Sequence, residues 1–170
     1  MEKSVEQKWY ALYTKSRCEK KILDLLVQQQ FVAYLPLRKE LRQWSDRKKW
    51  VDVPLINSYI FVKLEPAKRK EVFTVHGVVA FVCDKGKPAI IPEKEIENMR
   101  SAVESKLNFE LKKGIFNVGE MVRITSGALT GVEGQISEIR GDKKLYVTIA
   151  QIGFTLIVDM KDAGFEKVVE

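Results

Sequence analysis

The sequence holds a single histidine, His76, and two cysteines, Cys18 and Cys83. One imidazole leaves no material for a histidine-based triad or an ordinary zinc set. The two thiols stand in no metal-binding or redox spacing. No Walker loop and no dinucleotide-type glycine pattern follows a strand-like run. The carboxylates are scattered among lysines and form no acid–base pair. These gaps argue against an enzyme and against a cofactor, so function is expected to reside in surfaces. Long apolar runs are missing too. Val78–Cys83 is far too short to span a bilayer, and Met1–Lys8 is polar and charged, unlike a signal peptide. Two lone thiols fit a reducing compartment, so the expectation is a cytoplasmic protein with no membrane partner.

What is present describes a folded chain. With 170 residues, 45% hydrophobic and 31% charged, it has enough apolar content for one ordinary domain or two small ones. The net charge is +6, unevenly spread: residues 1–105 carry 20 Lys and Arg against 14 Asp and Glu, and residues 115–170 carry 6 against 8. A basic first part suggests a polyanion such as nucleic acid. A solvated lysine-rich surface is the plainer alternative.

Trp9–Thr14 reads as a buried strand. Ser16 is then positioned to cap a helix whose apolar face holds Cys18, Ile22, Leu25 and Leu26. Lys15, Arg17, Lys20 and Lys21 crowd its first turn, where each cation opposes the helix dipole at a cost of ~0.3–1 kcal/mol. Residues placed against local preference point to a role elsewhere. Phe31–Leu37 reads as a second strand. The stretch Arg38–Trp50, with a Ser45-Asp46 turn, reads as a projecting hairpin in which tryptophans mix with cations. Tyr59–Leu64 alternates as a central strand, with Tyr59, Phe61 and Lys63 on one face. Val78–Val82 is another strand. Pro92 opens a helix striped with Ile96, Met99 and Val103.

This order predicts an α+β sandwich with an antiparallel sheet over residues 1–105. Lys106–Gly114 is expected to be a flexible linker. Residues 115–170 hold strand-length runs at Met121–Thr125, Val132–Ile139, Lys144–Ala150, Thr155–Asp159 and Phe165–Val168, separated by glycine turns. That pattern predicts a small five-stranded β-barrel.

Phe116-Asn117-Val118-Gly119-Glu120-Met121-Val122-Arg123-Ile124, followed by Gly127, Gly131, Gly134 and Gln135-Ile136, resembles the KOW motif of SH3-like barrels. Lys8–Thr14, the basic helix, Val53–Val62 and Gly77–Val82 resemble the NGN domain of the NusG family. Together the two resemblances cover almost the whole chain. Where the housekeeping pattern reads Phe-Phe-Pro-Gly-Tyr, this sequence has Leu55-Ile56-Asn57-Ser58-Tyr59, which brings it closer to the specialised RfaH and UpxY type.

The resemblance implies a monomeric transcription elongation and antitermination factor. Its NGN domain is expected to dock the clamp helices of the largest catalytic subunit of RNA polymerase and suppress pausing and termination. The matching groove residues are Tyr13, Ile56, Tyr59, Phe61 and Phe81, with core packing the alternative, most of all for Phe81. Lys15, Arg17, Lys20 and Lys21 match a patch facing upstream or non-template DNA, and Arg42, Arg47, Lys48 and Lys49 of the hairpin extend it. Lys68–Glu71 lies where the family reaches the far side of the DNA channel. The KOW barrel implies recruitment of a ribosomal protein or a termination factor through Gly127, Ala128, Leu129, Ile152 and Phe154. Its abundance of Val, Ile, Thr and Tyr favours strands over a masked helical state. The alternatives are a housekeeping factor, or a ribosome- or RNA-binding KOW protein. The negative balance of the second half weighs against the latter.

Overall fold

The computed structural model describes residues 5–160 and 163–169, so the first half of Met1–Lys8 lies outside it. The chain forms two compact units, Met1–Ile91 and Pro92–Glu170.

Unit 1 runs β1 (Lys8–Thr14), α1 (Glu19–Gln28), β2 (Val32–Tyr34), β3 (Leu37–Gln43), β4 (Lys48–Pro54), β5 (Tyr59–Leu64), a 3-10 helical segment (Pro66–Thr74), β6 (Val78–Phe81), β7 (Cys83–Asp84) and β8 (Lys87–Pro88). Its main sheet has the order β2-β5-β1-β6, and β1 pairs antiparallel with both β5 and β6. One face carries Tyr10, Leu12, Ile60, Val62 and Leu64, which pack with Ile22 and Leu26 of α1 into the core. Alternation puts Trp9, Ala11, Tyr13, Tyr59, Phe61 and Lys63 on the other face. The β3–β4 hairpin stands as a separate two-stranded ribbon.

Local chemistry departs from expectation at two places. Ser16 does not cap α1: the cap position falls to Cys18, with no side-chain hydrogen bond, because Arg17 turns the chain through a left-handed φ of 64° just before the helix. The strand expected over Phe31–Leu37 is cut to Val32–Tyr34, since Pro36 lacks the N–H that a continuing ladder needs.

Unit 2 comprises α2 (Glu93–Glu104), β9 (Phe109–Lys113), β10 (Glu120–Ile124), β11 (Glu133–Ile139), β12 (Asp142–Ile149), a short 3-10 turn (Ala150–Ile152), β13 (Phe154–Met160) and β14 (Phe165–Lys167). The antiparallel order β14-β10-β11-β12-β13 supplies the five barrel strands, and β9 adds a sixth along the edge of β13. Val122, Ile124, Leu145, Val147, Ile149, Leu156 and Val158 fill the interior.

The expected boundaries shift accordingly. Most of the segment read as a linker, Lys106–Gly114, is β9: Phe109 and Leu111 alternate with Glu110 and Lys112, a period-2 signal obscured by the lysines around it. The helix assigned to the first domain packs on β12 and β13 of unit 2, burying Ile96, Met99 and Ala102. Asn98 secures it there, its side-chain amide donating to the Glu133 carbonyl at 3.1 Å and its oxygen accepting from the Glu133 N–H at 3.2 Å.

Two motif glycines are required by close approach. A Cβ on Gly119, whose φ is +59°, would lie 1.7 Å from the Ile136 carbonyl oxygen. One on Gly134 would lie 2.5 Å from that of Tyr146. No helix among the described residues is long and apolar enough to cross a membrane.

Candidate functional site

Register decides which of the aromatic candidates share a surface. Tyr13 pairs with Tyr59 and Ala11 with Phe61, so these side chains stand on the face away from α1. The Tyr13 and Tyr59 rings lie 4.9 Å apart, and the Tyr59 hydroxyl donates to that of Tyr13 at 3.3 Å. Burial, followed by this hydrogen bond, pushes the Tyr59 phenol above its ordinary value, so its hydroxyl stays protonated at neutral pH. Tyr13 is exposed and Tyr59 half-buried.

The other three groove candidates do not join them at the surface. Phe61 is 0% exposed and stacks on Tyr34 at 6.3 Å. Ile56 is buried in the loop before β5. Phe81 pairs with Leu12, and this register turns it to the core face, where it meets Tyr10 edge-on at 5.5 Å and is 8% exposed. Phe81 does keep an edge on a second feature. With Phe73, Arg69, Lys70 and Pro88 it lines a cleft of about 430 Å³ beside the Lys68–Glu71 patch. Phe73 is exposed and packs edge-on against Phe81 at 5.7 Å. Sequence reasoning passed over Phe73; the available signal was a lone aromatic inside an otherwise polar helical turn.

The two cationic groups meet only through Arg42. Arg17, Lys20 and Lys21 from the start of α1 line an open cleft of about 800 Å³ together with Arg42 of β3, Val53 and Pro54 of β4, and Asn57. Arg42 reaches the cleft from the hairpin face it shares with Arg38 and Glu40, whose carboxylate holds both guanidinium groups at 3.1 Å. Lys15, Arg17, Lys20, Lys21, Arg47, Lys48 and Lys49 make no ion pair among the described residues. Lys15 adjoins the cleft in sequence, while Arg47, Lys48 and Lys49 lie at the far end of the ribbon.

The cleft is fixed by a residue that sequence reasoning did not single out. Glu19 is buried at the first turn of α1 and accepts the backbone N–H of Ser58 at 2.9 Å. Ser58 sits at φ +66°, a left-handed conformation costly for a residue with a Cβ, and its carbonyl accepts from Thr14 N–H at 2.9 Å. The Glu19–Ser58 and Thr14–Ser58 bonds join helix, strand and loop at one corner. Asn57, the residue before Ser58, lines the cleft.

In unit 2 the register places the β10–β11 loop and the turn before β13 at the same end of the sheet. Gly127 and Ala128 are exposed there and Phe154 is half-buried. Leu129 and Ile152 are interior instead: each is the apolar residue that plugs its loop into the core. The α2 helix borders this end, with Lys94 donating to the Gly131 carbonyl at 3.0 Å. Burial raises the Glu95 carboxyl above its ordinary value, partly offset by a backbone hydrogen bond from Ala150.

The structure thus combines a basic α/β unit, holding an aromatic pair and a cationic cleft, with a glycine-pinned KOW-like β unit. Comparison with known proteins gives that architecture a family. The sequence model described as "Transcription termination factor nusG" matches residues 7–100. The transcription termination/antitermination protein NusG of Rickettsia conorii is 28% identical over 166 residues, covering 89% of this chain and 85% of the relative. That of Lactococcus lactis is 26% identical over 171 residues, covering 92% and 91%. A solved structure described as "Domain interaction in Thermotoga maritima NusG" aligns with a TM-score of 0.53 at 26% identity, covering 96% of this chain and 98% of that one. The chain belongs to the NusG family of transcription factors.

Proposed function

We propose that this protein is an elongation and antitermination factor that docks the clamp helices of the largest catalytic subunit of RNA polymerase through unit 1. The observation carrying this reading is that one unit holds both a partly exposed aromatic pair and a cationic cleft. The Tyr13 and Tyr59 rings lie 4.9 Å apart, and Asn57, two residues before Tyr59, lines the cleft with Arg17, Lys20, Lys21 and Arg42. Partly exposed aromatics are good protein anchors, and a cleft lined with cations, of which Arg17, Lys20 and Lys21 have no ion pair among the described residues, suits the DNA that accompanies a transcribing polymerase. On this reading Tyr13 and Tyr59 touch the polymerase, Phe61 and Ile56 support them from beneath, and the cleft lies along upstream or non-template DNA. Unit 2 recruits a ribosomal protein or a termination factor through Gly127, Ala128 and Phe154, with Leu129 and Ile152 holding those loops in shape.

An operon-specific role is supported by the cleft corner. Asn57-Ser58 replaces the Pro-Gly of the housekeeping pattern, and the strained Ser58 is held by Glu19. Co-purification of the tagged chain with core RNA polymerase tests the docking: Tyr13→Ala with Tyr59→Ala abolishes it, while retention by that pair contradicts it. Chromosomal occupancy confined to a few long operons supports specialisation, and uniform occupancy refutes it.

A further inference from the structure

Two of the three tryptophans stand exposed on the β3–β4 ribbon. Trp50 is 63% exposed and pairs across the ribbon with Leu41, itself 45% exposed. Trp44, at the turn, is 55% exposed. Leu41 and Trp50 share the ribbon face with Lys39, Asp52, Gln43 and Lys48, opposite the face that carries Arg38, Glu40, Arg42, Val51 and Lys49. The apolar pair therefore faces away from the side that gives Arg42 to the cationic cleft.

The charges around this pair identify the chemistry it fits. Lys39 and Asp52 neutralise one another at 3.1 Å, whereas Lys48 on the same face and Arg47 at the turn have no ion pair among the described residues. Flat indole faces beside unpaired cations are the components of a single-strand site, where bases stack on aromatics and phosphates meet cations. A duplex keeps its base faces covered and offers nothing to an exposed indole.

We propose that the β3–β4 ribbon is a stacking platform for an unpaired DNA strand, with Trp50 and Trp44 against bases and Arg47 and Lys48 on phosphates. The choice of DNA rests on the polymerase-bound function proposed above; the stacking mode rests on the ribbon itself. It assigns the exposed tryptophans a ligand that the cationic cleft does not require.

The experiment titrates the full chain with a 12-nucleotide mixed-sequence DNA strand, the matching duplex and the matching RNA strand, reading tryptophan emission and affinity together. Trp9, buried in β1, is an internal reference for folding. The single DNA strand quenches emission. Trp50→Ala and Trp44→Ala each weaken its binding about tenfold, and Trp50→Phe restores most of the affinity because a phenyl ring still stacks. The duplex binds at least tenfold more weakly and leaves emission unchanged. Equal quenching by duplex, or unchanged affinity in both alanine variants with Trp9 emission intact, overturns the platform. Tighter binding of the RNA strand overturns the assignment to DNA. Polymerase co-purification by the Trp50→Ala chain separates this inference from its parent: retained polymerase with no single-strand quenching by wild type removes the platform alone. Failure of the wild-type chain to retain polymerase removes the parent reading whatever the strands do.

Discussion

Met1–Ile91 carries 18 Lys and Arg against 10 Asp and Glu, whereas Pro92–Glu170 carries 11 against 13. The handling of those charges differs as much as their sum. In unit 2 ion pairs tie cations to neighbouring strands: Arg123 meets Glu133 at 2.8 Å and Glu166 at 3.6 Å, Lys167 meets Glu120 at 2.9 Å, and Lys144 meets Asp159. In unit 1 the cations of the α1 start and the hairpin end stand unanswered among the described residues. Unit 2 is close to charge balance and depends on backbone fit; unit 1 carries a clear excess of positive charge. Each unit should therefore break in its own way.

The largest effect is expected from Gly119→Ala. A methyl group 1.7 Å from the Ile136 carbonyl, at φ +59°, has no room in any rotamer. Unit 2 should lose at least about 3 kcal/mol of stability. Hydrogen exchange checks this, with protection falling in β10 to β13 far more than in β1 and β5. Arg17→Ala, Lys20→Ala and Lys21→Ala combined should leave folding intact. They should also lower the slope of log affinity for duplex DNA against log salt by about 2 to 3. Arg123→Ala in unit 2 should leave that slope unchanged and cost no more than about 1 kcal/mol, as exposed ion pairs do.

Glu19→Ala removes the acceptor of the Ser58 N–H from a buried corner. A loss of about 1 to 2 kcal/mol in thermal unfolding is expected, with weakened DNA binding because α1 loses its tie to the loop. The smallest effect concerns pH in unit 2. Because burial raises the folded Glu95 carboxyl above its ordinary 4.5, the folded state binds the extra proton. That contribution is fully present below pH 4.5 and is lost as pH rises through the raised value. Glu95→Gln should therefore be the more stable protein at pH 7, by less than about 1 kcal/mol given the group's partial solvent access. The gap should close on acidification to the ordinary value, as followed by chemical denaturation at several pH values.

The same contrast explains what was legible in the sequence. Alternation exposed Tyr59–Leu64, and glycine spacing exposed the close backbone approaches at Gly119 and Gly134, because both signals are local. Charge clustering found Arg17, Lys20, Lys21 and Arg42, which the fold gathers in one cleft. Long-range register was not legible. The pairing of Leu12 with Phe81 alone sends Phe81 into the core, and nothing local to Phe81 encodes it. Glu19 looked like an ordinary first-turn acid, since its partner Ser58 lies 39 residues away. Phe109–Lys113 was hidden by composition: a strand with two half-buried apolar residues among lysines reads as a polar tether until β13 is there to receive it.

The central claim is that the aromatic pair of unit 1 is a polymerase-docking surface. Affinity capture of core RNA polymerase by the purified chain, compared with the Tyr13→Ala, Tyr59→Ala double variant and with Arg123→Ala, tests it most directly. Capture by wild type and Arg123→Ala, with loss in the folded tyrosine variant, is the expected result. Undiminished capture by the tyrosine variant, or no capture by wild type, would contradict the account.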